Sequence, residues 1–134
     1  MKTIHSDKLT EHQLQTICVK WFRIKYRQYI IFAIPNGGFR HYSTAIKLKA
    51  EGVLSGVPDL FIPIPNGLYC GLFIEMKVGY NKETKNQLEF IEKLTYHGYK
   101  VKTCKTLQEF QEVVDNYFLK LIKLTKTRGF GVLG

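Results

Sequence analysis

Apolar residues recur along this chain with two different periods, and each period predicts a different kind of element. Spacings of three and four residues predict a helix from about Glu11 to Tyr26, which starts at a capping box formed by Thr10 and Gln13. A continuous apolar run at residues 29–34 predicts a buried strand that ends in a turn. We expect the helix to face the core through Leu14, Ile17, Cys18, Trp21 and Phe22.

A short basic helix is expected next, from His41 to Glu51. Gly52 should end it, because glycine readily adopts the left-handed conformation that closes many helices. Ala45 and Leu48 are expected to face inward, with lysines on the outer side. Glycine and proline then predict an irregular approach to the next strand.

Two further apolar runs, Asp59–Ile64 and Tyr69–Lys77, predict a β-hairpin joined around Asn66–Gly67. Alternate residues of a strand face opposite sides of a sheet. The even-numbered positions of both runs are apolar: Leu60, Ile62 and Ile64 in the first, and Cys70, Leu72, Ile74 and Met76 in the second. Both sets face one core only if the numbers of paired residues sum to an even value, and a sum of 134 fits the turn. In that register Leu60 faces Ile74.

The same register predicts a cluster of charged side chains at one end of the hairpin. Asp59 then faces Glu75, and Lys77 projects from the same face because it lies two residues beyond Glu75. Two carboxylates that close repel each other unless a cation lies between them. Lys77 would be that cation in a structural ion cluster, and a hard divalent metal is the alternative. The hairpin alone leaves both interpretations open.

The last third of the chain predicts a helix, a strand and a second helix. Thr84 and Gln87 form a second capping box, and Thr106 with Glu109 forms a third. Residues 99–104 between these helices predict a short strand. Inward-facing positions are expected to be Leu88, Ile91, Leu94 and Thr95 in the first helix, and Leu107, Phe110, Val113, Val114, Tyr117, Phe118 and Leu121 in the second.

The complete order is αβαββαβα, which predicts an α/β domain with helices flanking a small mixed sheet. A length of 134 residues suits one domain with one core. The formal net charge of +9 favours a protein that binds a polyanion, with DNA or RNA as the first candidate. A charge that only keeps the protein in solution is the alternative.

The cysteine spacing argues against a zinc-binding protein, and the lengths of the apolar runs argue against a secreted or a membrane-spanning protein. Cys18, Cys70 and Cys104 form no C-x-x-C pair, so we expect reduced core thiols in a cytoplasmic protein and no zinc site. Residues 1–13 lack the apolar segment of a signal peptide. No apolar stretch approaches the length of a membrane span, so no membrane partner is expected.

An E-x-K triplet alone is a weak motif, and the chain contains a second match at residues 83–85 in a polar stretch. The order of several motifs is more specific. Gly56-Val57-Pro58-Asp59-Leu60, then Ile74-Glu75-Met76-Lys77, then Gln87 in the following helix, resembles the VRR-NUC family of the PD-(D/E)XK nuclease superfamily. Further matches are Glu11 in the first helix, the segment Asn36-Gly37-Gly38-Phe39-Arg40, and Gly98 before the last strand.

This resemblance extends over about residues 9–117, and the short length is similar to the stand-alone members of viruses and phages. It implies a restriction-endonuclease-like core. We therefore expect residues 1–134 to form a single VRR-NUC domain, with the core at about residues 9–120 and a loose tail at residues 125–134.

The resemblance also implies roles for individual residues. Asp59, Glu75 and the backbone carbonyl of Met76 would be ligands of Mg²⁺ or Mn²⁺. Lys77 would hold and polarise the attacking water and neutralise charge on the phosphate. Gln87 would orient Lys77, a water or the DNA backbone, or else would only cap its helix.

Other residues are candidates for supporting roles. Glu11 would be an outer partner of the metal or its water, or else a simple partner of the helix dipole. Arg40 would approach a phosphate from the glycine-rich segment, or else be an exposed arginine in an ordinary turn. The candidate DNA phosphate contacts, each of which could instead be a solvated surface lysine, are Lys47, Lys49, Lys82 and Lys85.

These inferences predict a metal-dependent, structure-selective DNA endonuclease that resembles a Holliday-junction resolvase. The resemblance implies a homodimer that acts on branched DNA in the cytoplasm, which would be that of the host cell for a viral protein. The last helix and the tail are possible dimer surfaces. The alternatives are a non-catalytic nucleic-acid binding module on the same fold and a structural protein with an ion cluster.

Overall fold

A computed structural model of the chain describes residues 8–35 and 42–127. Within these ranges four helices and four strands follow one another in the predicted order. They are α1 (Glu11–Lys25), β1 (Phe32–Ala33), α2 (Tyr42–Ala50), β2 (Leu60–Ile62), β3 (Leu72–Met76), α3 (Lys85–Tyr96), β4 (Lys100–Cys104) and α4 (Leu107–Thr127). None of these helices combines the length and the apolar character that a membrane span requires.

The four strands form one mixed sheet in the order β1-β2-β3-β4. Strand β2 is antiparallel to both of its neighbours, β1 and β3. Strands β3 and β4 are parallel, because helix α3 forms the crossover connection between them. Leu60 pairs with Ile74, and the other paired residues of this hairpin also have numbers that sum to 134. The register expected from the alternation of apolar residues is therefore confirmed.

Helices α1 and α4 contact each other and cover one face of this sheet. Each contributes a buried stripe with helical spacing, as the sequence predicts. The core consists of Leu14, Cys18 and Phe22 from α1, Leu60, Ile62, Leu72, Ile74 and Met76 from the hairpin, Cys104 from β4, and Phe110, Val114, Tyr117 and Phe118 from α4, with Ile31 beside them. Because the α4 aromatic residues are buried here, they leave no aromatic face for a dimer contact.

The connection between β2 and β3 is longer than a two-residue hairpin turn and is organised by a buried asparagine. The Asn66 side-chain oxygen accepts hydrogen bonds from the backbone N–H groups of Leu68 and Tyr69. Its amide group donates to the carbonyl oxygen of Tyr117 in α4 at 3.1 Å. This side chain therefore shapes the loop and ties it to the last helix.

Several expectations about burial are wrong. Only Phe32 and Ala33 of the predicted strand at residues 29–34 pair with β2, and both are exposed because they lie at the edge of the sheet. Leu88 of α3 is 54% exposed and Cys70 is also exposed. Ile17 and Thr95 are exposed although helical spacing placed them on inner stripes, since no other described element covers them.

Two expectations about the C-terminal part also need correction. The backbone N–H of Glu109 donates to the Thr106 hydroxyl, but the Glu109 carboxylate accepts from the N–H of Lys105 and so does not close the predicted capping box. Helix α4 continues to Thr127, so residues 125–127 are helical. The remainder of the predicted loose tail, residues 128–134, lies outside the described residues, as do residues 36–41 with Arg40.

Candidate active site at the end of the hairpin

A cavity of about 570 Å³ opens where the hairpin strands approach α2, α3 and the start of α1. It brings together most of the residues that the sequence singles out, although they come from five separate segments. The polar and charged residues that line it are Glu11, Lys49, Ser55, Asp59, Glu75, Lys77, Thr84 and Gln87. Ala45 and Leu48, the expected inner side of α2, face this cavity and not the core.

Two carboxylates occupy the floor of the cavity. Asp59 lies directly before β2 and accepts a hydrogen bond from the backbone N–H of Met76 at 2.7 Å. Glu75 lies on β3, is only 2% exposed, and accepts from the Gln87 side-chain amide at 2.9 Å through its Oε1. Its other oxygen, Oε2, is buried and has no hydrogen-bond donor among the described residues.

The environment of Glu75 opposes its ionisation. Burial, and then the negative charge and close contact of Asp59, raise the pKa of Glu75 to about 8 from an ordinary value of 4.5. The positive charge of Lys77 works in the opposite direction but does not outweigh these effects. The second negative charge of the pair is therefore unfavourable without a further cation, and near neutral pH Glu75 holds a proton in place of that cation.

A backbone hydrogen bond and an ion pair of the side chain both hold Lys77 next to the carboxylates. Its backbone N–H donates to the carbonyl oxygen of Cys104 at 3.1 Å, which anchors the residue to β4. Its ammonium nitrogen lies 3.7 Å from Glu75 Oε1, within ion-pair range but beyond hydrogen-bond distance. The residue is only 8% exposed, so the charge is available to the cavity and largely shielded from bulk solvent.

Gln87 caps its helix, which is one of the two roles expected from the sequence, and it also contacts the candidate site. Its backbone N–H and its Oε1 complete the capping box with Thr84, at 3.2 Å and 2.8 Å. The Nε2 group of the same amide donates to Glu75. The cap thus orients the amide, and its partner in the site is the carboxylate and not Lys77.

Glycine at position 56 allows α3 to come this close to the hairpin. Gly56 has a φ of +92°, and a β-carbon there would lie 2.6 Å from the backbone carbon of Asn86. Asn86 directly precedes Gln87, so this contact sets how closely the first turn of α3 approaches Glu75. The glycine of the Gly56–Leu60 motif is therefore needed for its lack of a side chain.

Glu11 lies at the rim of the cavity, half-buried in the first turn of α1. It accepts a hydrogen bond from the side chain of Asn81 at 3.3 Å. Its negative charge reaches Glu75 and contributes to the raised pKa of that residue. Asn81 was not among the residues singled out from the sequence, because no local motif links it to Glu11.

Glu83 is a second residue that the sequence analysis missed. It belongs to the E-x-K triplet at residues 83–85, which the sequence places in a polar loop. In the structure its carboxylate accepts from the Thr103 hydroxyl on β4. That hydrogen bond, together with the charges of Lys77 and Lys105, lowers the pKa of Glu83. Only the pairing of β3 with β4 reveals this proximity to Lys77.

The candidate DNA-binding lysines lie on two sides of the cavity. Lys47 and Lys49 are exposed on α2, and Lys49 lines the cavity. Lys82 and Lys85 are exposed in the loop before α3 and in its first turn. Arg40 belongs to the residues that the structure does not describe.

The site has few groups that could ligate a metal, but those present fit a divalent cation. Across the described part of the chain, no three His, Cys, Asp or Glu side chains form a group that could hold a metal ion. The predicted ligand set uses only two carboxylates and a backbone carbonyl. Glu75 Oε2, buried and without a donor, is an atom whose unmet hydrogen-bonding capacity a cation would satisfy.

Comparisons with known proteins agree with the fold and with the motif order. The family model of the VRR-NUC domain matches residues 2–107. A solved structure described as a VRR_NUC domain protein has 32% sequence identity and a TM-score of 0.71, over 85% of this chain and 92% of that chain. Another, described as a VRR_NUC domain, has 20% identity and a TM-score of 0.56, over 80% and 96% of the two chains, and supports the fold alone. No curated protein matches the chain.

Proposed function

Because the chain belongs to the VRR-NUC domain family, whose members are nucleases, we propose that it is a metal-dependent endonuclease that hydrolyses phosphodiester bonds in branched DNA. One observation carries this proposal. Two carboxylates, the half-buried Asp59 and the buried Glu75, lie beside the ammonium group of Lys77 at the floor of an open, lysine-flanked cavity. This combination suits a reaction in which negative charge builds up on a phosphate.

Asp59, Glu75 and the carbonyl oxygen of Met76 would hold Mg²⁺ or Mn²⁺, because these ions prefer oxygen ligands. When bound, such an ion supplies Lewis-acid stabilisation of charge on the phosphate. Lys77 holds and polarises the attacking water and stabilises the negative charge of the transition state. Gln87 keeps the Glu75 carboxylate in place through its hydrogen bond, and Glu11 adds negative charge at the rim.

The alternative is a nucleic-acid binding module without catalytic activity on the same fold. Its affinity would depend on salt but not on Mg²⁺. The two carboxylates argue against it, because a binding module gains nothing from Asp59 and Glu75 in the cavity floor, where their ionised forms repel a phosphate unless a cation accompanies them. The raised pKa of Glu75 reflects an unmet need for a cation in the cavity floor, which a pure binder would not use.

Cleavage of a labelled four-way junction and of a matched linear duplex, each with Mg²⁺, Mn²⁺ or EDTA, tests the proposal. We expect metal-dependent cleavage of the junction and a loss of at least about 100-fold in Lys77→Ala. Asp59→Asn should lose activity while still binding DNA. Lys93→Ala, which removes an exposed lysine from the far end of α3, is the matched control and should cleave normally.

Cleavage by Lys77→Ala at the rate of the natural chain would refute the assignment of the site. Binding that is the same in Mg²⁺ and EDTA, without cleavage of either substrate, would support the binding module. Equal cleavage of junction and duplex would support the nuclease but refute the preference for branched DNA.

We further infer that the protein is a homodimer, since a two-fold dimer would present two sites to the two symmetric strands of a junction. The edge of the sheet supports this inference. Phe32 of β1 and Ile30, two positions before it, are exposed apolar residues, and β1 pairs with β2 alone among the described strands. Ile30→Glu should lower the mass measured by light scattering to that of a monomer, whereas Ile24→Glu, on the exposed side of α1, should not. A monomeric natural chain would refute the inference.

A further inference from the structure

A second groove, of about 620 Å³, lies between the start of α1, the loop after β3 and the start of α4. The proposed reaction does not use it. Its apolar lining is supplied by Leu9, Leu14, Ile17, Val78 and Leu107. Leu9 and Ile17 are exposed to solvent there, which explains why the inner stripe of α1 is only partly covered.

One aromatic side chain stands at the wall of this groove. Tyr80 is 96% exposed, and its ring contributes nothing to the hydrophobic core. A fully exposed tyrosine beside an apolar groove offers a flat surface for stacking, and every nucleobase has a flat face that can use it. Tyr80 lies three positions after Lys77 and its ring is exposed, whereas Phe61 and Phe73, two positions from Asp59 and Glu75, stack on each other.

Positive charge surrounds the apolar lining. Lys8 and Lys105 both line the groove, and the N-terminal ends of α1 and α4 meet there, which adds the partial positive charge of two helix dipoles. Glu83 lies near Lys105, and the Glu109 carboxylate accepts from the Lys105 backbone N–H, so carboxylates offset part of this charge. None of the described residues that line the groove is acidic.

A hydrogen bond joins the groove to the candidate active site. Asn81 lines the groove and donates to Glu11, which lines the catalytic cavity. Tyr80 lies three positions after Lys77, and three residues of extended chain span at most about 11 Å. That distance is about three base steps at about 3.4 Å each. A ligand in the groove would therefore lie within a few nucleotides of the phosphate at the site.

We propose that this groove binds an unpaired nucleobase of the DNA substrate next to the cut, with the base stacked on Tyr80 and the flanking phosphates near Lys8 and Lys105. This rests on the proposed function and deepens it, because it explains how the enzyme recognises branched DNA. Bases in a duplex are already stacked and paired, whereas bases at a branch point can leave the helix at low cost. A groove that accepts such a base favours branched over linear DNA.

The test measures binding and fluorescence in EDTA, so that it does not depend on cleavage. The probe is a branched DNA with 2-aminopurine at an unpaired position one to three nucleotides from the branch. The natural chain should quench or shift its fluorescence, and Tyr80→Ala should abolish that change and weaken binding about 10-fold. Tyr80→Phe keeps the ring and should behave like the natural chain. Tyr96→Ala, which removes another exposed tyrosine on α3, is the matched control.

The variants also separate this proposal from the proposed function. If the natural chain binds and stacks the probe in EDTA but does not cleave in Mg²⁺, the groove assignment stands and the nuclease assignment fails. If Tyr80→Ala retains the fluorescence change and the full affinity, the groove assignment fails and the nuclease assignment is unaffected. A change in oligomeric mass in Tyr80→Ala without a change in fluorescence would identify a contact between copies and overturn the proposal.

Discussion

Gln87 donates a hydrogen bond from its side-chain nitrogen to Glu75 at 2.9 Å, while the oxygen of the same amide accepts from the backbone N–H of Thr84 at 2.8 Å. One amide therefore links the first turn of α3 to the carboxylate on β3. A residue that caps a helix also positions a group in the candidate active site, and neither contact can move without the other.

Replacing this amide by a carboxylate should separate its two roles. Gln87→Glu can still cap the helix, but it loses the donor to Glu75 and places another negative charge beside it. We expect catalytic activity to fall about 10- to 100-fold with little change in melting temperature. Single-turnover cleavage and thermal unfolding would be measured together.

The first helix supplies the control for this variant. Gln13 completes the equivalent capping box with Thr10 but is exposed, so Gln13→Glu changes the same chemistry away from the site. It should leave activity unchanged. An equal loss in both variants would show that Gln87 acts only through helix stability.

The raised pKa of Glu75 predicts how stability depends on pH in the absence of metal. The folded state holds the Glu75 proton more tightly than the unfolded state does, so this residue stabilises the protein at low pH. That contribution should fall as the pH rises from about 5 through the raised pKa of the folded state. In EDTA the melting temperature should decline as the pH rises. Glu75→Gln should flatten this decline, whereas Glu89→Gln, at an exposed position, should leave it unchanged.

Added Mg²⁺ should reverse this trend. A cation binds the ionised carboxylate, so proton and metal compete for Glu75. The increase in melting temperature on adding Mg²⁺ should therefore be larger at pH 8.5 than at pH 6, values chosen around the raised pKa. The same increase at both values would argue against Glu75 as a ligand.

Two glycines with positive φ offer a matched test of close approach. A β-carbon at Gly56 would clash with the backbone of Asn86, whereas one at Gly52 would meet nothing within 4 Å. Gly52→Ala should cost about 1 kcal/mol of unfolding free energy from backbone strain. Gly56→Ala should cost more, about 2–4 kcal/mol, because strain and overpacking combine, and it should reduce activity by displacing Gln87. Equal effects in urea unfolding would contradict this reading.

The parts of this protein that the sequence predicts correctly depend on local periodicity. Alternation along two strands is enough to pair Leu60 with Ile74, since a slip of one residue would turn one apolar set away from the core. Capping boxes likewise locate the starts of α1 and α3, because their hydrogen bonds span only three residues.

What the sequence does not predict depends on contacts between distant segments. Glu83 approaches Lys77 only because β4 brings Thr103 beside it. The exposure of Leu88 and Ile17 could not be predicted for a related reason. Helical spacing shows which side of a helix is apolar, but not whether another element covers that side. Ile17 lies in the groove for which a nucleobase contact is proposed.

The lysines of α2 should contribute to DNA affinity through charge alone. The double substitution Lys47→Ala/Lys49→Ala removes two exposed positive charges beside the cavity. We expect weaker binding of every DNA substrate and a decrease of about 2 in the slope of log affinity against log salt concentration. The control Lys20→Ala/Arg23→Ala removes two exposed charges from α1 and should keep the slope. An unchanged slope in the α2 variant would exclude these phosphate contacts.

The hydrogen bond from Asn66 to Tyr117 has a consequence for synthesis of the chain. The loop between β2 and β3 is tied to Tyr117 of α4, 51 positions after Asn66, so we expect the hairpin to reach its final form only after Tyr117 has left the ribosome. Limited proteolysis of stalled nascent chains that end before and after Tyr117 would reveal this order. The acidic pair would then be assembled late, and a partly made chain would hold no finished cutting site near the DNA of the cell that makes it.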